Sequence, residues 1–250
     1  MSVVAPMLVA EEPKRTIAEE IERTLACAIL RSEFYPGSRL PSVRTLAVQF
    51  ETTVPTIQRA LDRLAATGLV TAKRGSGVVV NDPERCADLN LLPLWFEAYS
   101  RNADRCAKML GELLELRRVL TVHLFRSSGD RVRAAIPKLS LIAMLISSES
   151  SLREIAVADA EMTRIVVASV DNFALRSVFE TVARLALEAP HVAEALYSDR
   201  AAHQKVINAV VAALADPNPA AAALSVERVM ANWDAHVVEQ FRQRIANPTP

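Results

Sequence analysis

Residues 36–47 read PGSRLPSVRTLA, and residues 52–70 continue with TTVPTIQRALDRLAATGLV. The first stretch starts with a Pro-Gly turn and then opens a short helix at its Pro-Ser pair. In the second, Thr53 can cap a further helix, and Pro55 lies near its first turn, where a missing N–H costs little. Gly68 lies where the end of a helix favours a left-handed residue. This part of the chain therefore predicts two successive helices closed by a turn.

Further elements flank these two helices. In residues 14–33 apolar side chains recur at every fourth position, which predicts an amphipathic helix. Residues 69–72 and 78–80 are short apolar stretches joined by KRGSG at residues 73–77, a pattern typical of a β-hairpin. Three helices and a hairpin within about eighty residues predict a winged helix-turn-helix.

The rest of the chain has a different pattern. From residue 106 to 246 the periodicity is helical, with breaks near residues 127–130, 137, 147–151, 190 and 216–219. This predicts an all-α bundle of six or seven helices. We expect a mostly α protein with three parts: a DNA-binding domain at residues 1–83 with a short disordered N-terminus, a linker at 84–105, and a helical domain at 106–246.

Composition excludes several classes of protein. Of the 250 residues, 51% are hydrophobic and 23% charged, which is typical of a globular protein and not of a disordered chain. No apolar run reaches the ~18 residues of a membrane-spanning helix, so we expect no membrane partner. The opening residues carry no basic side chain before their apolar stretch, so we expect no signal peptide. Three widely spaced cysteines predict neither disulfides nor a metal site, and we expect a cytoplasmic protein.

Charge is unevenly distributed along the N-terminal region. The whole chain balances 29 Lys and Arg against 29 Asp and Glu. Residues 39–81 nevertheless carry six basic and two acidic side chains, a net charge of +4, whereas residues 11–38 carry a net charge of −2. A local basic surplus favours contact with the phosphates of nucleic acid, which a zero net charge does not exclude.

The N-terminal motifs resemble those of a known family. Residues 36–47 are similar to the pG-x-x-LPS-x-R-x-LA signature of the GntR family of bacterial transcription regulators, and residues 56–61, 68–70 and 75–77 continue the pattern in register. The resemblance covers about residues 14–81. It implies double-stranded operator DNA as a partner, and a homodimer on a pseudo-palindromic site, since one winged unit touches few bases.

The resemblance also implies which residues contact DNA. Arg44 falls on the family's DNA-contacting arginine of the second helix, and Thr56 falls on a backbone-contacting position of the recognition helix. Gly75 and Gly77 match wing-tip glycines that let the hairpin approach phosphates. The predicted DNA-binding residues are Arg44, Thr53, Thr56, Gln58, Arg59, Lys73, Arg74, Gly75 and Gly77.

Two departures prevent the operator sequence from being transferred from relatives. Val54 stands where relatives often have arginine, and Gln58-Arg59 stand where the usual TVREAL motif has Arg-Glu. Our hypothesis is that Gln58 reads adenine and Arg59 reads guanine, because those pairings follow from base-edge geometry. Taken alone, Arg44 or Arg59 is better explained as a solvated helix residue than as a base reader, and only the ordered pattern around them favours DNA binding.

The helical part is similar to the FCD ligand-binding domain of the FadR subfamily. Motifs occur in that domain's order at residues 115–120, 159–163, 168–172, 203–209 and 233–237. The resemblance implies a domain that binds a small organic acid or acyl effector, supplies dimer contacts and alters DNA affinity. Arg117, Thr163 and Asn172 are the residues it predicts in the effector pocket.

Many members of that subfamily hold a divalent metal with one aspartate and three histidines. Asp159, His203 and His236 match three of these ligands, whereas Thr163 stands where the first histidine belongs. Imidazole and carboxylate suit a transition metal such as zinc or nickel, so one expectation is such a cofactor on these three residues. The other is a metal-free pocket for an organic effector. His123 can replace the histidine that is missing at position 163. The alternative is that His123 is a core histidine that only packs against its neighbours.

These expectations converge on a ligand-responsive bacterial regulator, a repressor, and not an enzyme. Two alternatives stay open. The helical domain can be a purely structural dimerisation module, or it can be a metal-dependent enzyme in which Asp159, His203 and His236 form a facial triad. The sequence shows neither a nucleophile grouping nor a phosphate-cradling glycine loop, which disfavours the enzyme.

Overall fold

The computed structural model describes residues 15–73, 77–86 and 88–247. The chain divides into two compact units, the first ending at Tyr99 and the second starting at Ser100. The predicted disordered N-terminus, at residues 1–14, lies outside the described residues.

Helix α1 (Ile17–Leu30) begins at a capping box. Thr16 Oγ1 accepts a hydrogen bond from the Glu19 N–H (3.4 Å), and the Glu19 carboxylate accepts one from the Thr16 N–H (2.8 Å). These bonds satisfy two N–H groups that the start of a helix leaves unpaired, and they lower the pKa of Glu19. The helix ends earlier than the predicted residue 33, because Ser32 adopts a left-handed backbone with φ of 61°.

Helices α2 (Val43–Gln49) and α3 (Val54–Ala66) start at the caps that the sequence predicts. Ser42 Oγ accepts a hydrogen bond from the Thr45 N–H at 3.1 Å and so caps α2. Gly68 follows α3 with φ of +79°, which confirms the left-handed position expected there. Their apolar faces join α1 in one core, which includes Ile21, Leu25, Leu46, Ile57, Ala60 and Leu64.

A two-stranded antiparallel hairpin completes the winged helix-turn-helix. Strand β1 (Val70–Lys73) pairs with β2 (Gly77–Val80), with Val70 opposite Val80 and Lys73 opposite Gly77. The strands extend one residue closer to the tip than predicted, because Lys73 and Gly77 still pair.

The segment predicted as a linker, residues 84–105, is largely structured. A 3₁₀ turn (Leu89–Leu91) leads into α4 (Leu92–Ala98), which packs against α1. The Tyr99 hydroxyl donates a hydrogen bond to the Leu30 carbonyl at 2.6 Å. This segment therefore completes the first unit, because its apolar side chains are buried against a helix some sixty residues earlier.

Seven helices occupy the described part of the second unit and confirm the predicted all-α bundle. They are α5 (Ala103–Arg133), α6 (Ile136–Ala143), α7 (Leu152–Ala168), α8 (Phe173–Glu188), α9 (Pro190–Tyr197), α10 (Arg200–Leu214) and α11 (Pro219–Ala246). The two longest, α5 and α11, pack along each other. Neither they nor any other helix in the described ranges is long and apolar enough to cross a bilayer.

Helix α5 is kinked where the sequence predicts a break. Ser128 has non-helical backbone angles, φ −141° and ψ 26°, and the helix resumes after it. The next residue, Gly129, lies against the start of α11, and a Cβ there would come within 2.9 Å of Pro219 Cβ. The break near residues 127–130 is thus a kink at a helix crossing and not a loop.

Candidate functional site

Helix α3 has one buried and one exposed face. Ile57, Ala60 and Leu64 are buried, whereas Gln58 and Arg59 are exposed. The core holds the first face, so the second is free for a partner. A recognition helix presents such a face to the major groove, and Gln58 and Arg59, the predicted base readers, lie on the exposed face of α3.

Two threonines hold the start of α3. Thr53 Oγ1 accepts a hydrogen bond from the Thr56 N–H (3.4 Å), and the two hydroxyls lie 2.9 Å apart. One hydroxyl proton is used within the pair, which leaves the other for an external acceptor such as a phosphate oxygen. The partial positive charge of a helix N-terminus favours the same partner.

Cations of the first unit fall into two groups. Exposed cations that make no ion pair in the described ranges are Arg15, Arg39, Arg44, Arg59 and Lys73. Arg63 instead binds α1: its Nε lies 2.5 Å from Glu22 Oε2 and its Nη2 lies 3.4 Å from Glu19 Oε1. The bond to Glu22 raises the pKa of Arg63. Arg63 therefore holds two helices together, whereas the charges of the first group are free to contact phosphates.

The hairpin tip lies partly outside the described residues. Arg74 and Gly75, both predicted to contact DNA, fall in the undescribed residues 74–76. Gly77 has φ of +80°, and a Cβ there would meet no heavy atom within 4 Å. The backbone conformation, and not lack of space, is thus what favours glycine at this position. Lys73, opposite it, is exposed.

The second unit contains a mainly apolar cavity. About 900 Å³ of space lies between its lining residues, open solvent at the mouth included, and each of helices α5 to α11 contributes at least one lining residue. Its wall includes Phe125, Met162, Phe179, Val210 and Trp233. An apolar wall with a few polar groups is typical of ligand pockets.

A cluster of three polar side chains, Asp159, Tyr197 and His203, lies on the cavity wall. The Tyr197 hydroxyl donates to Asp159 Oδ2 at 3.1 Å, and His203 Nε2 lies 3.9 Å from Asp159 Oδ1. Burial, with a contribution from Asp159, raises the pKa of Tyr197 well above its usual value. Burial also lowers the pKa of His203, although Asp159 opposes this shift.

A buried ion cluster lies beside the cavity. Asp234, only 4% exposed, accepts hydrogen bonds from Arg117 Nη2 (3.0 Å) and Arg118 Nη1 (2.5 Å). Burial raises the pKa of Asp234, while the two arginines act in the opposite direction. Arg117 also lines the cavity, as predicted for a pocket residue. One carboxylate from α11 thus holds two neighbouring cations of α5.

Comparison with known families decides the identity of the first unit. Residues 17–80 match the model of the bacterial regulatory proteins of the gntR family. Residues 17–80 are a GntR-family DNA-binding domain. The match covers α1 to β2, so the exposed face of α3, the free cations and the hairpin all belong to this GntR domain.

Relatives along the rest of the chain are also regulators. An uncharacterised HTH-type transcriptional regulator of Mycobacterium tuberculosis, Rv0494, is 29% identical over 92% of this chain and 93% of its own length. The fatty acid metabolism regulator protein of Shewanella pealeana is 28% identical over 53% and 55%, respectively. The relatives that match most of the chain and those that match part of it are thus transcriptional regulators, as is the family that residues 17–80 match.

A solved structure shares the fold. Lar, which controls the expression of the Listeria monocytogenes agr system, has a TM-score of 0.56 against this chain. The two are 15% identical, and the match covers 91% of this chain and 99% of Lar.

The structure does not bring the three predicted metal ligands of this regulator together. Asp159 and His203 lie side by side, but His236 is exposed and lies on Trp233, with ring centroids 5.4 Å apart. Within residues 15–73, 77–86 and 88–247, no three His, Cys, Asp or Glu side chains are grouped as metal ligands. His123, the proposed substitute, is exposed on α5. The donor set does not fit a transition metal.

The other predicted pocket residues have different places. Thr163 lines the cavity, but its hydroxyl donates to the Asp159 carbonyl at 3.0 Å. Asn172 lies outside the cavity, since it caps α8 by accepting a hydrogen bond from the Leu175 N–H at 3.0 Å. A polar residue just before a helix start is a common cap, which explains this asparagine without a ligand.

Sequence reasoning missed Asp234 and Arg118. A usable signal was present, because Asp234 lies four residues after Met230 and three before Val237, both buried on α11. A carboxylate on a buried stripe needs a cationic partner, and the Arg117-Arg118 pair of α5 was the available source.

Proposed function

We propose that this chain is a ligand-responsive repressor. Two copies bind a pseudo-palindromic operator through Arg44, α3 and the hairpin, and a small organic effector in the cavity of the second unit lowers their affinity for DNA. Organic acids and acyl compounds are the effector classes suggested by the resemblance to FCD domains. The observation that carries this proposal is that one chain joins unpaired cations of a GntR domain to a largely apolar cavity.

The homodimer follows from the size of the DNA-reading surface. One winged unit contacts too few base pairs for useful specificity, whereas two copies double the contacts and require a two-fold related site. Gln58 and Arg59, exposed on α3, read adenine and guanine in each half-site.

The effector acts by differential binding. Operator affinity changes only as far as the effector prefers the chain conformation that binds DNA poorly. The proposal needs no metal, because the cavity has polar groups of its own on Asp159, Tyr197 and His203.

The proposal is tested with the full chain and a random duplex library. Bound duplexes are selected and sequenced, and their affinity is measured by fluorescence anisotropy at several salt concentrations. We expect an enriched site with two inverted half-sites, a mass of two chains per duplex, and an affinity that falls steeply with salt. A site with one half and one chain per duplex would contradict the homodimer.

Effectors are then screened on the selected site. A Val210→Trp variant serves as the matched control, because the larger side chain fills the cavity without touching the DNA-binding unit. We expect at least one organic acid or acyl compound to weaken DNA binding by the wild type and not by this variant. If no compound acts on either protein, the helical unit is a structural dimerisation module.

A further inference from the structure

Helix α5 carries an exposed stripe of side chains on the part that precedes its kink at Ser128. The stripe consists of Glu112, Leu116, Val119, His123 and Arg126, which follow one another at alternating spacings of four and three residues. These spacings keep side chains on one side of a helix and are typical of a helix that packs along another helix.

The middle of this α5 stripe is apolar. Leu116 is 40% exposed and Val119 is 57% exposed, so both aliphatic side chains lie in solvent. The opposite side of the helix is already buried within the second unit, as Leu114 and Phe125 show. Folding of one chain therefore leaves an apolar surface whose removal from water would favour association.

The two ends of the stripe carry opposite charges. Glu112 lies seven residues before Val119, and Arg126 lies seven residues after it. With a rise of about 1.5 Å per residue, each charge is about 10 Å from Val119 along the helix axis, and the two charges are about 21 Å apart. They therefore cannot pair with each other within one helix.

Each of these two charges has only a weak partner on its own chain. Glu112 Oε1 lies 3.8 Å from Lys108 Nζ, and Arg126 Nη2 lies 3.6 Å from Glu227 Oε2. All four side chains are at least 46% exposed, so water screens both ion pairs and each contributes little to stability. Glu112 and Arg126 are therefore available to a further partner.

A second copy of the stripe has the complementary order of charges. When two copies of α5 lie antiparallel with Val119 facing Val119, Glu112 of each copy lies level with Arg126 of the other. Opposite charges then meet at both ends, and a two-fold axis passes between the two valines. In the same arrangement His123 lies level with Glu115 of the second copy, an exposed carboxylate that can accept a hydrogen bond from an imidazole.

Other arrangements of the second unit lack this match. Two parallel copies of α5 in register place like charges side by side at both ends of the stripe, which is unfavourable. Leu141, Met144 and Leu145 form another exposed apolar patch, at the end of α6 and just after it. The only charged residue within residues 136–146 is Lys138, which would meet no opposite charge in a second copy of that patch.

We propose that two copies of this chain associate through the α5 stripe, as an antiparallel helix pair centred on Val119. Leu116 and Val119 supply the apolar centre of the contact, and Glu112 and Arg126 fix its orientation from the two ends. This inference rests on the proposed function, because it assigns the contact surface of the homodimer proposed there.

Reciprocal charge reversal tests this pairing on the full chain without DNA. Glu112→Arg and Arg126→Glu each create two like-charge contacts per dimer, so each variant should raise the dimer dissociation constant at least about tenfold at low ionic strength. An equimolar mixture of the two variants should recover nearly the wild-type constant, because the mixed dimer again contains only opposite-charge pairs. Sedimentation equilibrium measures these constants.

Glu149→Arg is the matched control. It makes the same change of charge as Glu112→Arg, at an exposed residue outside the stripe, and should leave the dissociation constant unchanged. Recovery in the mixture also excludes misfolding, since two variants that had not folded could not restore a dimer.

A cysteine at the centre of the stripe tests the two-fold axis. Val119→Cys would place two thiols next to each other across the axis, so oxidation with copper phenanthroline should link two chains by a disulfide. Met144→Cys, in the patch near α6, is the control and should stay unlinked. The wild type, which has Cys27, Cys86 and Cys106, gives the background on electrophoresis without reducing agent. This measurement decides the matter even if a charge variant does not fold.

Three results would overturn the inference. If charge reversal leaves the dimer unaffected, or if the mixture does not recover, Glu112 and Arg126 do not meet across the dimer. If Met144→Cys is linked faster than Val119→Cys, the contact surface lies at α6 instead.

The outcome for the proposed function is read separately. If the wild type dimerises but the mixture does not recover, the homodimer stands and the assignment of the α5 stripe fails. If the mixture recovers but the selected operator has a single half-site, the stripe assignment stands and the proposed mode of DNA binding fails. A wild type that stays monomeric both alone and on the operator would contradict both.

Discussion

The two units of this chain use charge in opposite ways. In the GntR domain Arg39, Arg44, Arg59 and Lys73 face solvent without an ion-pair partner in the described ranges. In the helical unit the buried Asp234 accepts hydrogen bonds from two arginines, and burial lowers the pKa of His203. Charge on the first unit is thus available to an outside partner, whereas charge in the second is compensated within the fold.

The largest expected effect is on stability, and it tests the buried cluster of Asp234 with Arg117 and Arg118. Asp234→Asn should lower the free energy of unfolding of the helical unit by about 3 kcal/mol, because Arg117 and Arg118 lose their counter-charge in a largely buried place. Urea denaturation followed by circular dichroism measures this loss.

Asp104→Asn is the matched control for that variant. Asp104 pairs with Arg242 at 3.2 Å but its side chain is 90% exposed, so its loss should cost about 0–1 kcal/mol. Equal losses in both variants would mean that burial of Asp234 has no energetic weight.

The next effect tests the uncompensated charges. Arg44→Ala should weaken operator binding about tenfold and lower the slope of log affinity against log salt by about 1, because one phosphate contact is lost. Its stability should not change, since Arg44 is exposed and makes no ion pair in the described ranges. Fluorescence anisotropy across a salt series measures both quantities.

Arg63→Ala provides the comparison with Arg44→Ala, because Arg63 lies on the recognition helix α3 but is ion-paired. Arg63 is bound to Glu22 and Glu19, so this variant should keep the salt slope and lose about 1 kcal/mol of stability. If the slope of log affinity against log salt were lower for Arg63→Ala than for Arg44→Ala, Arg63 would be the cation that contacts phosphate. That result would contradict our assignment of Arg63 to the ion pairs with α1.

A smaller effect compares one glycine from each unit. Gly77→Ala should cost about 1 kcal/mol and weaken operator binding, because alanine is strained at φ of +80°. Gly111→Ala lies inside α5, where a Cβ would be 3.6 Å from Val238 Cγ2, an ordinary contact, so helix propensity should stabilise the protein by up to about 1 kcal/mol. Thermal denaturation gives both shifts, which should have opposite signs.

The smallest effect concerns pH. Burial lowers the pKa of His203 in the folded protein, so the unfolded chain binds a proton first, and the helical unit should lose stability as pH falls through about 6.5. His203→Phe should flatten this dependence between pH 7.5 and 5.5, whereas His191→Phe should not. The raised pKa of Asp234 acts with the opposite sign but is common to all three proteins. Melting temperatures across the pH series provide the measurement.

Local signals explain why the first unit was predictable. Its caps at Ser42 and Thr53 and the left-handed Gly68 each depend on neighbours a few residues away, and all three appear in the structure. Helix α4 was less visible, because its burial depends on contact with α1 and not on its own pattern.

The cavity depends on rotations that the sequence pattern did not reveal. A helix turns about 100° per residue, so Asp234 and His236 point to nearly opposite sides of α11. Packing against α5 buries Asp234, and His236 is left exposed. The order of motifs therefore singled out Asp159 and His203, which line the cavity, but gave no register for the last helix.

The ion pair between Arg63 and Glu22 has a practical consequence for protein engineers. Anyone who transplants the α3 segment into another winged scaffold, to redirect it to a new operator, moves a cation whose carboxylate stays behind on α1. The graft would then carry an extra positive charge with no sequence preference, and its discrimination between operators would suffer. The exchangeable module is the helix pair, and not the recognition helix by itself.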